Sequence, residues 1–107
     1  MKVKIKITVE QFQNLVNWIQ RSTYNGLNDL SILNIRLFVG IGLKKIIDLR
    51  SEQFYQPQKI KTFSIEINQY TAIMACLTNE RNFLDPYTLS IYLTLQNQNK
   101  QLLTLIP

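Results

Sequence analysis

The feature that most constrains this chain is an internal self-similarity. Ile5, Ile7, Val9, Phe12, Leu15, Val16 and Ile19 recur 58 places later as Phe63, Ile65, Ile67, Tyr70, Ile73, Met74 and Leu77, apolar matched with apolar at every position. In both copies the apolar spacing begins at two residues and then changes to i, i+3, i+4, i+7. The first period suits a strand with one buried face and the second an amphipathic helix. Each copy therefore reads as a strand running directly into a helix, over Val9 to Ser22 and Gln69 to Glu80. Thr8 with Gln11 has the spacing of a capping box, and Asn68 is the candidate cap of the second helix.

The second half of each copy admits two readings. Leu33, Ile35, Leu37 and Val39 alternate with other residues, as do their counterparts Leu89, Ile91, Leu93 and Leu95, now 56 places on. That is the strand period. Gly40 and Gly42 would each cost a helix interior up to about 1 kcal/mol relative to alanine. They align with the amide-rich Gln96-Asn97-Gln98-Asn99, as expected of a turn, and Lys44 to Leu49 then lies over Lys100 to Leu105. This reading predicts a β-hairpin in each half. The expected fold is α+β: a tandem duplicated β-α-β-β unit over residues 1–50 and 59–107 of a single domain. One antiparallel sheet would carry two helices packed on one face, with Ile5, Ile7, Ile35, Leu37, Phe63, Ile65, Ile91 and Leu93 inward. Arg50 to Gln58, polar and containing Pro57, would be the exposed connection. The alternative is a duplicated β-α-α unit. It reads residues 30–50 as one helix with Ile32, Ile35, Val39, Leu43 and Ile46 on a stripe, and a second helix capped by Asp85 with Pro86 at its first position.

Little in the chain suggests catalysis. It has no histidine, the commonest acid-base group at neutral pH, and its seven acidic residues are scattered singly. No catalytic residue, metal site or cofactor is expected. Cys76 has no partner for a disulfide or a zinc site and reads as a small buried hydrophobe. Gly40-Ile41-Gly42 before Lys44-Lys45 resembles a phosphate cradle only loosely and lacks the full glycine-lysine-serine/threonine signature.

Binding is more strongly suggested. If Val3, Ile5 and Ile7 point inward, Lys2, Lys4 and Lys6 point outward, and the same parity in the expected hairpins turns Arg36, Phe38 and Tyr92 outward. Lysines for phosphates and aromatic rings for unstacked bases together make a candidate face for RNA or single-stranded DNA. Trp18, beside the apolar stripe of the first helix, is the candidate anchor for a protein partner. A net charge of +5 favours encounter with acidic partners of either kind. The leading expectation is a small non-enzymatic interaction protein, a regulator or inhibitor that binds a larger protein or nucleoprotein complex. Ten asparagines and ten glutamines among many lysines and isoleucines match AT-rich coding, as in phage and mobile-element proteins. The alternating N-terminus MKVKIKITVE lacks the apolar block of a signal peptide, and no apolar run suits a membrane span, so a soluble cytoplasmic protein is expected.

Overall fold

The computed structural model describes residues 1–100. Along them run β1 (Lys2–Thr8), α1 (Val9–Arg21), α2 (Asp29–Arg50), β2 (Ile60–Glu66), α3 (Ile67–Asn79) and α4 (Pro86–Gln98), with a short 3-10 turn at Arg81–Phe83. The protein is α+β, and the order strand, helix, helix occurs twice. This is the arrangement of the β-α-α alternative. The hairpins expected within residues 33–49 and from Leu89 to Leu95 are absent, and the part of the second hairpin at residues 101–105 lies outside the described residues.

Each strand passes into its helix without a loop. Thr8 closes the predicted capping box: its hydroxyl accepts from the Gln11 amide at 3.0 Å, and the Gln11 side chain accepts from the Thr8 amide at 2.9 Å. Two of the orphan donors of a helix N-terminus are thereby satisfied. The second junction differs from the expectation. Glu66 occupies the cap position without a side-chain cap bond, and Asn68 lies inside α3.

β1 and β2 pair antiparallel, with Val3 opposite Ile65 and Ile5 opposite Phe63. Val3, Ile5, Ile7, Phe63 and Ile65 are buried beneath the helices, while Lys2, Lys4 and Lys6 face solvent on the other side. The α1 stripe Phe12, Leu15, Val16 and Ile19 is buried as the spacing predicts, and so are Tyr70, Ile73, Met74 and Leu77 of α3. Phe12 stacks flat on Phe63, with ring centroids 4.1 Å apart, and meets Phe38 of α2 edge-on at 6.1 Å. These rings join sheet, α1 and α2 into one core.

Why α2 is a helix despite its glycines is answered by packing. Ile35, Phe38, Gly42, Ile46 and Leu49 make its buried face, at helical spacing. Gly42 lies against α1 so closely that an added Cβ would stand 2.7 Å from Val16 Cγ2. The missing side chain permits that approach, and the burial gained exceeds a propensity cost of about 1 kcal/mol. Gly40 faces open space. In α4, Asp85 accepts from the Thr88 amide at 3.2 Å and Pro86 opens the helix. Ile91, Tyr92 and Leu95 are buried. Leu37 and Leu93, expected inward on strand parity, are exposed, because a residue two places from a buried one on a helix is turned by about 200°.

Candidate interaction surfaces

The lysine and aromatic face expected from sequence is not assembled. Lys2, Lys4 and Lys6 do share the open face of the sheet, opposite Glu66, Ser64 and Thr62. Phe38 and Tyr92, expected outward, are buried at 3% and 2% exposure. Both were assigned by strand parity and both stand on helices, where their positions turn toward the core. Phe38 packs against Phe12, and the Tyr92 hydroxyl lies 2.8 Å from the Thr78 hydroxyl. Arg36 is exposed, but on α2 and not on the sheet. What remains is a row of lysines without stacking platforms.

Trp18 is half-buried, packed against the core. Beside it a broad, shallow recess is lined by Arg21, Ser22, Thr23, Glu80 and the exposed Phe83. The Ser22 hydroxyl donates to Glu80 at 2.9 Å and lies 3.3 Å from the Cys76 sulfur. Here alone among the described residues does the cysteine approach a carboxylate-linked hydroxyl. The geometry still opposes nucleophilic use. Cys76 is buried, and burial pushes its thiol pKa up, with the Ser22 hydrogen bond opposing that and the Glu80 charge adding to it. A nucleophile needs the reverse. Among the described residues no group of three or more histidine, cysteine, aspartate or glutamate side chains is placed to hold a metal ion. Gly40 to Lys45 lies within α2, so its amides belong to the helix ladder and form no phosphate cradle.

A surface that sequence reasoning did not single out stands on α2. Leu30, Leu33, Leu37 and Ile41 are 68%, 53%, 49% and 59% exposed. At 100° per residue they fall within an arc of about 80°, so they form one continuous ridge on the side away from the core. The signal was present in the sequence, as a helix apolar on both sides. It was hidden by reading the same leucines as strand residues.

The two edges of the sheet are treated differently. The odd-numbered residues of β1 bond to β2, as the flanking bonds from Ile67 to Met1 and from Val9 to Lys59 require. Lys2, Lys4 and Lys6 therefore direct their backbone groups away from β2. There the Gln98 side chain acts as a miniature strand: it accepts from the Lys6 amide at 2.8 Å and donates to the Lys6 carbonyl at 2.7 Å. Asn99 reaches the Lys4 carbonyl at 3.5 Å. On the opposite edge, Ile60, Thr62 and Ser64 of β2 direct their backbone groups outward with no hydrogen bond to them among the described residues, while the Glu66 carbonyl belongs to the cap of α3. Beside this edge lies a groove of about 140 Å³ with Phe38, Ile41, Phe63 and Ile65 in its walls and Lys45 at its rim.

No protein-family model, curated protein or solved structure matches this chain. Among the described residues no helix is long and apolar enough to cross a membrane.

Proposed function

We propose that the chain is a non-enzymatic interaction protein, a regulator or inhibitor that works by docking on a larger protein or nucleoprotein complex. The observation that carries this reading is the α2 ridge. Four large aliphatic side chains, each about half exposed or more, stand in line on a 22-residue helix, Asp29–Arg50. Single exposed hydrophobes need no explanation, but a contiguous apolar row is the usual mark of a binding face. A helix presenting such a row fits an apolar groove through anchors at i, i+3, i+7 and i+11. The buried, poorly ionised Cys76 and the absence of histidine favour binding over catalysis.

The test is photo-crosslinking in the source cell with a photoreactive residue at Leu33, competed by excess unlabelled chain. One crosslinked partner of fixed mass is expected, displaced by the native chain but not by the L30E/L33E variant. Equal competition by that variant, or substrate turnover with no stoichiometric partner, overturns the reading. The nucleic-acid alternative retains only the electrostatic element of the Lys2, Lys4 and Lys6 row. It requires binding to single strands that weakens steeply with salt and a shallower salt slope in K2Q/K4Q/K6Q.

A further inference from the structure

We infer that the open edge of β2 and the groove beside it receive an extended segment of a partner protein. The segment adds antiparallel as a third strand, with an apolar side chain in the groove and acidic residues flanking it. This surface is separate from the α2 ridge, which it meets only at Ile41. The unequal treatment of the two edges is the starting point. An unpaired edge is a template for another strand, and proteins cover, charge or shorten edges that must stay unpaired. The β1 edge is covered: the Gln98 side chain holds both backbone groups of Lys6, and Asn99 reaches the Lys4 carbonyl. Along β2, Ile60, Thr62 and Ser64 direct three N–H and three C=O groups outward, and none has a partner among the described residues. Those groups suffice for a ladder, so the Glu66 carbonyl stays in the cap of α3.

The groove adds what a bare edge lacks, a place for a side chain. Side chains of a strand alternate between faces, so an incoming residue opposite Phe63 points beneath the sheet, toward the helices. Phe63 and Ile65 line the groove from β2, and Phe38 and Ile41 line it from α2. Its volume of about 140 Å³ is close to the ~150 Å³ in which an apolar cavity holds a benzene ring. One phenylalanine or leucine side chain fits there, which makes the residue opposite Phe63 the anchor. Strand addition of this kind draws affinity from the main-chain ladder and specificity from such pockets.

Charge selects an acidic segment. The ionised side chains that line the groove are Lys2, Glu66 and Lys45. Lys2 and Glu66 stand 4.0 Å apart and offset one another. Lys45 forms no ion pair among the described residues, and its ammonium lies 5.7 Å from the centre of the Phe63 ring, beside the anchor position. Lys61, further along β2, is engaged by Glu52 at 3.5 Å. The unpaired charge at the groove is therefore positive, in a chain of net charge +5. A carboxylate two places from the anchor lies on the same face as the anchor and comes to the Lys45 side of the groove. A second copy of this chain, itself at +5, would bring repulsion instead.

The test uses the pure full-length chain and the blocked peptide acetyl-TETFTET-amide, in which phenylalanine is the anchor and both glutamates share its face. Saturable binding is expected, with a dissociation constant below about 100 µM and slowed hydrogen exchange at the Ile60, Thr62 and Ser64 amides. Serine in place of the phenylalanine, or lysine in place of both glutamates, is expected to weaken binding at least tenfold. The two threonines beside the phenylalanine turn their N–H groups to β2 in an antiparallel ladder. N-methylation of those threonines is expected to abolish binding, and N-methylation of the phenylalanine to cost little. In the protein, S64P removes one outward N–H at an edge position where proline is tolerated, and K45E reverses the groove charge. Both are expected to keep the far-UV circular dichroism of the native chain and to bind at least tenfold more weakly. K4E, with the same change in net charge, is expected to stay within about twofold of the native chain. No binding of the TETFTET peptide, equal binding of the lysine peptide, or undiminished binding by folded S64P or K45E overturns the inference. So does threonine methylation that costs no more than phenylalanine methylation. Protection of the three β2 amides in the free chain, with a sedimenting mass of twice 12.6 kDa, would give the edge to a second copy and also overturns it. L30S/L33S, neutral in charge and two or more turns from Ile41, is expected to bind the peptide normally, so failure of the ridge and failure of the edge are separately visible.

Discussion

Alanine at Gly42 and alanine at Gly40 are expected to have opposite effects, although the two sites are two residues apart in one helix. Either substitution brings the same helix-propensity gain of about 1 kcal/mol. At Gly40 the new methyl group meets nothing within 4 Å, so the gain stands alone and G40A is stabilised by up to that amount. At Gly42 the methyl group would lie 2.7 Å from Val16 Cγ2 and 3.7 Å from the Phe12 ring. Val16 is fully buried and β-branched, with essentially one rotamer open to it in α1, so it cannot swing aside. Overpacking of this kind costs about 1–3 kcal/mol. The contact at 2.7 Å belongs in the upper part of that range, which leaves G42A destabilised by about 1–2 kcal/mol. Because the propensity gain is common to both variants, their difference isolates the helix-helix contact. Urea unfolding reads it directly: with a slope of about 2 kcal/mol per M, the two midpoints should separate by roughly 1 M with the slope unchanged. The V16A/G42A double variant supplies the cross-check. With Val16 truncated, G42A should become neutral or stabilising, a coupling visible in a double-mutant cycle. If G42A is as stable as G40A, the close approach of α1 and α2 is wrong, and with it the account of why α2 tolerates its glycines.

Other perturbations test separate parts of the structure. Replacing Gln98 by alanine strips the Lys6 backbone of its side-chain partner, so hydrogen exchange at the Lys6 amide should accelerate and stability fall by about 1 kcal/mol. The Thr88 hydroxyl, with backbone amides beside it, holds the Asp85 carboxyl below its ordinary value. A depressed folded pKa means stability that is full above the unfolded value near 4 and is lost as pH falls through the folded value. The stability advantage of the native chain over D85N should accordingly shrink below pH 4. Tyr70 donates to the Leu95 carbonyl at 3.1 Å, and burial pushes its phenol up to about 12. A raised folded pKa means stability that is full below the unfolded value near 10 and is lost as pH rises from there toward 12, a loss that Y70F should not show. K4Q should be nearly neutral for stability, whereas L15A should cost about 2–5 kcal/mol by deleting a fully buried side chain.

The recurrence of a strand period followed by a helix period was sufficient to place α1 and α3 to within two residues, each directly after a strand. It also identified their buried faces and the Thr8–Gln11 cap. Those segments are amphipathic, so the side that must leave water is written in the order of the residues. The outward lysines were legible for the same reason. Asp85-Pro86 likewise carried a correct start for α4, but it pointed to the alternative unit and competed with a strand-like alternation downstream.

The second half of each repeat was decided by tertiary structure. α2 is apolar on its core side at Ile35, Phe38 and Ile46 and apolar again on its solvent side at Leu30, Leu33, Leu37 and Ile41, so its hydrophobicity has no single direction for a period to reveal. In such a segment period two and period 3.6 fit about equally well. Gly42 argued against a helix on propensity, a local quantity, and was outweighed by contact with Val16, a residue 26 places away that only the assembled fold brings within reach. The same contest decided the candidate sites. Phe38 and Tyr92 turned from surface to core once their backbone became helical, and the α2 ridge and the open β2 edge appeared only when neighbours covered the other face of α2 and the other edge of the sheet. Local periodicity determines which side of an amphipathic element is dry. Where an element is apolar all round, or an edge is open, the answer depends on what else packs there, and that is a property of the whole chain folded together.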